Sequence, residues 1–251
     1  MSAVNPLAAI DALTAQAHTD AWSARSDIDW WGAAPVVPDG VAAADYIDTI
    51  SQLFHAEKAA LAMATDLAAR VAEPAAQRFL ATQIVDEDRH AQVHRMYLER
   101  LGDVAPLDPA LADVLAAARG WTGAPWVQLA ALDLMLPLEV MPPLRRRMHA
   151  WPCRLLRQLN RQISKDERRH AAFGRSYLEL LTPTFDPAER AAGLAALDGL
   201  WQRWREVTRA RRRDAVLRPD RAELERVGDR LRALLHRFRL DGVTPMFALA
   251  A

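Results

Sequence analysis

Apolar residues recur every three or four positions through most of the chain, the period of a helix with one buried face. From about Val41 to Val71, Ile50, Leu53, Phe54, Leu61, Ala64 and Leu67 share one side, and Glu57 stands in the middle of that stripe. Pro74 suits the first turn of a second helix, which continues to about Arg100 and stops at Gly102. Its inward row is Leu80, Ile84, Glu87, His90, His94 and Leu98. A long link follows, with a short helix near 110–119. A third helix starts near Pro125 and turns Leu132, Met135, Leu136 and Glu139 inward. Pro137, Pro142 and Pro143 cannot all sit in an undisturbed α-helix, so a kink or local opening is expected around Glu139. The fourth helix opens at Pro152, carries Ile163, Glu167, His170, Gly174 and Tyr177 on one face, and ends before Pro183.

Further helices are expected at about 6–24, 187–217 and 219–240. The fold class is therefore all-α: a four-helix bundle with extra N- and C-terminal helices, read as a single domain over residues 1–251. The bundle occupies about 41–181, the N-terminal extension 1–40 and the C-terminal helices 187–240. A long crossover between the second and third helices suits such a bundle. Within the extension, after its helix, Trp30 and Trp31 either pack down over the bundle or line a pocket mouth.

Composition narrows the setting. The chain balances 32 basic against 32 acidic residues, so no polyelectrolyte partner is implied. The lone cysteine, Cys153, cannot form an internal disulfide and fits a reducing compartment. The N-terminus lacks the basic start and apolar run of a signal peptide, so a cytoplasmic location is expected. The most apolar stretch, 126–144, contains Asp133, Glu139 and three prolines, which argues for a buried helix and against a membrane span.

The chemistry lies in a repeat. Residues 86–101 (DEDRHAQVHRMYLERL) and 166–181 (DERRHAAFGRSYLELL) align without gaps, and both carry Asp-Glu-x-Arg-His. Residues three apart on a helix share a face, so Glu87 with His90 and Glu167 with His170 can each serve one metal ion. Two such motifs, each preceded by a helix with one more inward Glu, compose a di-iron or di-manganese carboxylate site. Glu57 and Glu139 are the candidates for those extra carboxylates, preceding Glu87 and Glu167 by 30 and 28 residues. Four buried carboxylates are costly unless neutralised, and two divalent cations do so.

The pattern resembles the ferritin-like di-iron carboxylate superfamily over about residues 41–181. Lys165–Leu178 (KDERRHAAFGRSYL) is similar to the last metal helix of aldehyde-deformylating oxygenases and of ribonucleotide-reductase-like oxidases, and the compact spacing resembles the former more. The resemblance implies Glu57, Glu87, His90, Glu139, Glu167 and His170 as ligands, with Glu87 and either Glu139 or Glu167 bridging. It places Asp86 and Asp166 where they orient the histidine of the opposite motif, with Arg89 and Arg169 paired to them. It also implies two iron ions (or a Mn/Fe pair), O2 as co-substrate, and an external electron donor such as a reductase or ferredoxin. The implied function is an O2-activating non-haem di-iron oxygenase or oxidase. Its reaction would be oxygenation, N-oxygenation, desaturation or C–C cleavage of a small organic substrate. Alternatives are a ferroxidase of the iron-storage type and a Mn/Fe ribonucleotide-reductase-like oxidase. Arylamine N-oxygenases carry an added His where this chain has Ile163.

The two copies of the repeat also differ. One turn beyond His90 stands His94, a candidate outer donor, extra ligand or core histidine; the equivalent place after His170 is Gly174. Reductase small subunits often place a radical-forming tyrosine at the His94 position. Gly174 is expected to leave space for oxygen or substrate. Phe54, Leu61, Leu132, Met135 and Phe173 would surround that space and suit a substrate with an apolar body. Residues 201–240 hold 13 arginines against six acids, either a solvated face or a docking surface for an acidic partner such as a carrier protein. Nucleic acid is not expected, and a homodimer is compatible with the reading.

Overall fold

The computed structural model describes residues 5–140, 148, 150–210, 221–238 and 240, without the side chains of 136–140, 209, 210 and 221. The chain is all-α: among the described residues there are helices and no strands. Helix α1 (Pro6–Thr19), α3 (Pro74–Leu98) and α4 (Pro109–Arg119) each begin with proline, whose missing N–H belongs to a turn that has no intrahelical acceptor anyway. Asp108 caps α4, its Oδ1 accepting from the backbone N–H groups of Ala110 and Leu111 at 2.8 and 3.1 Å. Asp108→Ala is expected to lower stability by about 1 kcal/mol, read as a shifted urea midpoint at unchanged slope. An unchanged midpoint would mean that α4 does not depend on this cap.

The bundle is closed by four segments. Helix α2 (Ala43–Ala68) packs on α3, α3 on α6 (Arg154–Leu181), α6 on a π-helix (Ala130–Val140), and the π-helix on α2. A short α5 (Trp126–Leu129) leads into the π-helix. Helix α1 lies against α3 and α6, α4 bridges α2 and α7 (Pro187–Ala210), and α8 (Arg221–Arg237) rests on the π-helix. No described helix is long and apolar enough to cross a membrane.

The third bundle segment departs from the expected α-helix. Its widened turns begin at Ala130, nine residues before Glu139, around which the sequence led us to expect a kink or local opening. Pro137 accounts for a disturbance of the segment: in α geometry its ring would crowd the carbonyl of Asp133 and its nitrogen could not donate there. Pro142 and Pro143 lie outside the described residues.

The crossover after α3 turns at Gly102, whose φ of 155° is one that L side chains rarely adopt. It is then tied to α2. Ser51 Oγ accepts from the Ala105 N–H at 2.9 Å, while Gln52 accepts from the Asp108 N–H at 2.8 Å and donates to the Pro106 carbonyl at 3.0 Å. The two tryptophans of the preceding loop part company. Trp30 is buried and donates to the Ala24 carbonyl at 2.7 Å, whereas Trp31 is 98% exposed.

Two apolar cores fill the bundle, one toward each end. One joins Met63, Ala64 and Leu67 of α2 to Phe79, Leu80, Phe173, Tyr177 and residues of α7 and α8. The other joins Trp22, Ile28 and Trp30 to Tyr46, Ile50, Val93, Tyr97, Leu155, Leu156 and Ile163. On α2, α3 and α6 alike, the stretch between the cores holds the charged residues: Glu57, then Glu87 and His90, then Glu167 and His170. The polar layer sits at mid-bundle, with apolar packing toward both ends.

Candidate metal centre

Regular α geometry in α3 and α6 points Glu87, His90, Glu167 and His170 into that layer, as the three-residue spacing requires. One oxygen or nitrogen each from Glu57, Glu87, His90 and Glu167 lie within 4.8 Å of one another, a set that could hold a metal ion. Glu87 is central. Its Oε2 is 3.3 Å from His90 Nδ1 and its Oε1 is 3.3 Å from His170 Nδ1, while Glu57 Oε2 is 3.7 Å from His90 Nδ1. The carboxylate thus offers one oxygen to each imidazole, and the two rings are 6.2 Å apart between centroids. The side chain of Glu139 lies outside the described residues.

The other ring nitrogen of each histidine is occupied. His90 Nε2 donates to Asp166 Oδ2 at 3.1 Å and His170 Nε2 donates to Asp86 Oδ2 at 3.0 Å, each aspartate serving the opposite motif. A carboxylate accepts, so Nε2 carries a proton, and in the neutral imidazole the Nδ1 lone pair faces Glu87. Both Nδ1 atoms and Glu87 Oε2 are buried without a hydrogen-bond partner. Lone pairs facing one another in a buried layer repel unless a proton or a metal cation stands between them. That arrangement fits a metal: the orphaned atoms are those a dication would take.

The charges show the same tension. Burial pushes the Glu87 carboxyl up. Burial alone would pull His90 down, but Asp166, Glu57 and Glu87 together raise it well above its ordinary value. In the metal-free protein, protons therefore do part of the neutralising that a dication would do.

Behind the histidines lies a four-membered ion cluster. Arg169 Nη2 donates to Asp86 Oδ2 at 2.6 Å and Asp166 Oδ1 at 2.8 Å. Arg89 Nη2 donates to Asp86 Oδ1 and, at 3.2 Å, to Asp166 Oδ2. Burial works to raise both aspartates, but the histidines and Arg169, helped at Asp166 by Trp22, hold them below the usual carboxylate range. The Arg169 side chain is 2% exposed, so these are interior pairs and not the surface i,i+3 pairs that the spacing alone would also permit.

Several participants escape a reading of the sequence. Trp22, from the segment after α1, donates its Nε1 hydrogen to Asp166 Oδ2 at 2.8 Å and lies nearly parallel to the His90 ring at 6.4 Å. The Arg89 guanidinium stands 4.7 Å over the Trp22 ring. A lone tryptophan 144 residues from its partner carries no periodic signal. Gln83 and Asp133 join the layer as well: Gln83 Nε2 donates to Asp133 Oδ1 at 2.8 Å and to Glu87 Oε1 at 3.2 Å. Burial pushes the Asp133 carboxyl up to about 8. Here a signal existed, since Gln83 stands one turn before Glu87 and Asp133 interrupts an apolar run.

The differences between the repeats resolve unequally. His94 is buried, with Nδ1 donating to the His90 carbonyl at 3.0 Å and lying 3.8 Å from Glu57 Oε1. The space expected beside Gly174 is taken. A Cβ there would come within 2.7 Å of Asp133 Cβ and 3.2–3.3 Å of the Leu134 side chain, so the missing side chain serves close packing of α6 on the π-helix. Phe173 is fully buried and stacked between Phe79 at 4.2 Å and Tyr177 at 5.6 Å, and so fills core. Leu132 and Met135 belong to that same core. Phe54 packs against the other one, and Leu61 is half-buried on α2, so the five expected pocket residues do not form one cluster. Of the arginine-rich stretch 201–240, residues 211–220 lie outside the described residues. No protein-family model matches the chain, and no curated protein matches it.

Proposed function

We propose that the protein is an O2-activating di-iron oxidoreductase built on a ferritin-like four-helix bundle. The observation that carries this reading is the convergence of two imidazole Nδ1 atoms, one from each repeat, on the two oxygens of the buried Glu87. Such a set of donors could serve two metal ions. Glu57, Glu87, His90, Glu167 and His170 would hold the pair, joined by Glu139 as the resemblance of the motifs implies. Four carboxylates match the charge of two dications, and neutral imidazoles add none. Bound there, a pair of iron ions would supply the redox chemistry that side chains lack, for reduction of O2 with electrons from an external donor and oxidation of an organic substrate.

The residues of the chain do the rest. Asp86 and Asp166 fix the tautomer and tilt of the histidines. Arg89 and Arg169 keep those aspartates ionised and in place. The two apolar cores keep bulk water from the layer at both ends. A reductase or ferredoxin would supply electrons.

The test is to load chelator-stripped protein with Fe(II) anaerobically, count the metal, then admit O2 with and without a chemical reductant. Two irons per chain and reductant-dependent O2 consumption without a mineral core are expected. No retained metal would sink the reading. Uptake of many irons per chain as a mineral would move the assignment to iron storage.

A further inference from the structure

The layer is not symmetric about Glu87. One turn before Glu87 stands Gln83, 1% exposed; one turn before Glu167 stands the apolar Ile163. Gln83 spans the space between Glu87 Oε1 and Asp133 Oδ1, and Asp133 is fully buried. Its neighbours on the π-helix, Ala130, Ala131, Leu132, Leu134 and Met135, are all apolar and no more than 5% exposed. A carboxyl in such a row is unfavourable for packing alone, because burial removes its hydration and returns the hydrogen bond from Gln83. Gly174 makes its approach possible: where α3 carries His94, α6 carries no side chain, and Asp133 comes against that position from the neighbouring segment.

The hydrogen bond falls on one particular oxygen. Glu87 Oε1, which faces His170 Nδ1, receives the Gln83 hydrogen; Oε2, which faces His90 Nδ1, receives none. Among the described residues, the Gln83 amide therefore steers the carboxylate from the His170 side. Asp133 in turn holds the Gln83 amide in place through its shorter bond. We infer that Gln83 and Asp133 are a positioning pair that makes the two metal positions unequal by fixing the Glu87 oxygen that serves the His170 side. This rests on the two-metal reading above. On the His90 side Glu57, Glu87, Glu167 and His90 each bring one donor atom within 4.8 Å of the others, so that position is expected to fill first.

Cobalt(II) titration of the chelator-stripped chain, followed by visible absorption and by competition with a chelating indicator, tests the inference without any turnover. The wild-type chain should take two equivalents of different affinity. Gln83→Met keeps the length of the side chain and removes the hydrogen bond; it should weaken the second equivalent by about 10–100-fold, the usual cost of losing an outer partner of a ligand, and leave the first unchanged. Asp133→Leu should act in the same sense. Asp133→Asn, which still offers Gln83 an acceptor, should stay near wild type and keeps the test open should Asp133→Leu fail to fold. Ile163→Met, at the position equivalent to Gln83, should move neither equivalent. Two wild-type equivalents of equal affinity would overturn the inference while leaving the two-metal reading intact. So would a Gln83→Met chain that weakens both alike or neither. A wild-type chain that takes up no cobalt would remove the two-metal reading itself and the inference with it.

Discussion

Arg169→Leu is expected to destabilise the metal-free protein by about 3–5 kcal/mol, the cost of removing one partner from a buried ion network. The physical reason is charge balance out of reach of water. Asp86 and Asp166 carry two negative charges with side chains only 5% and 1% exposed, and Arg89 and Arg169 balance them. Without Arg169 both aspartates lose a charge-assisted bond, at 2.6 and 2.8 Å, and one net negative charge stays in the interior. Arg89→Leu should cost less, because that side chain is 11% exposed and solvent compensates part of the loss. Arg95→Leu is the control: its pair with Glu99 is 65% and 58% exposed and contributes less than about 1 kcal/mol. Urea unfolding in excess chelator separates these effects from metal binding. If Arg169→Leu and Arg95→Leu unfold at the same midpoint, the cluster is not the structural element described.

Gly174→Leu is expected to be the other severe change. An added Cβ would sit 2.7 Å from Asp133 Cβ, an atom fixed directly to the π-helix backbone, so no side-chain rotation relieves the contact. The π-helix must shift away from α6. Overpacking of this kind costs about 1–3 kcal/mol, and the three further carbons of leucine meet Leu134 as well. Replacing a helical glycine returns about 1 kcal/mol at most. A net loss near 2 kcal/mol lowers the thermal midpoint of a chain this size by roughly 4–8 °C. Loss of metal affinity on the His170 side should accompany it, because Asp133 moves with the segment. The alternative expectation, open space beside Gly174, predicts near-native folding with two metals bound and only bulky-substrate turnover lost. A midpoint equal to wild type would favour that alternative.

Much of the layer was legible because its information is local. Glu87 with His90 and Glu167 with His170 meet on one helix face by the 3.6-residue period, whatever surrounds them. Glu57 could be picked out because a carboxylate in the centre of an apolar stripe has few reasons to be there. The helix start at Pro74 followed from backbone chemistry at that residue alone. The third segment was half legible. Pro137 announced a disturbance, but where the wide turns begin depends on how the segment packs against α2 and α6.

What the sequence determined by itself is the set of groups placed on each helix face: paired Glu and His, their flanking Asp and Arg, and the apolar rows on either side. Tertiary structure decided which ring nitrogen faces inward, since that follows from an aspartate on the other helix holding Nε2. It decided that Trp22 closes on Asp166, that Gln83 meets Asp133, and that Gly174 is a contact and not an opening. Each of these joins residues about 40 or more positions apart. Helical periodicity orders side chains along one segment, but the separation and rotation between segments are set only when both cores are packed.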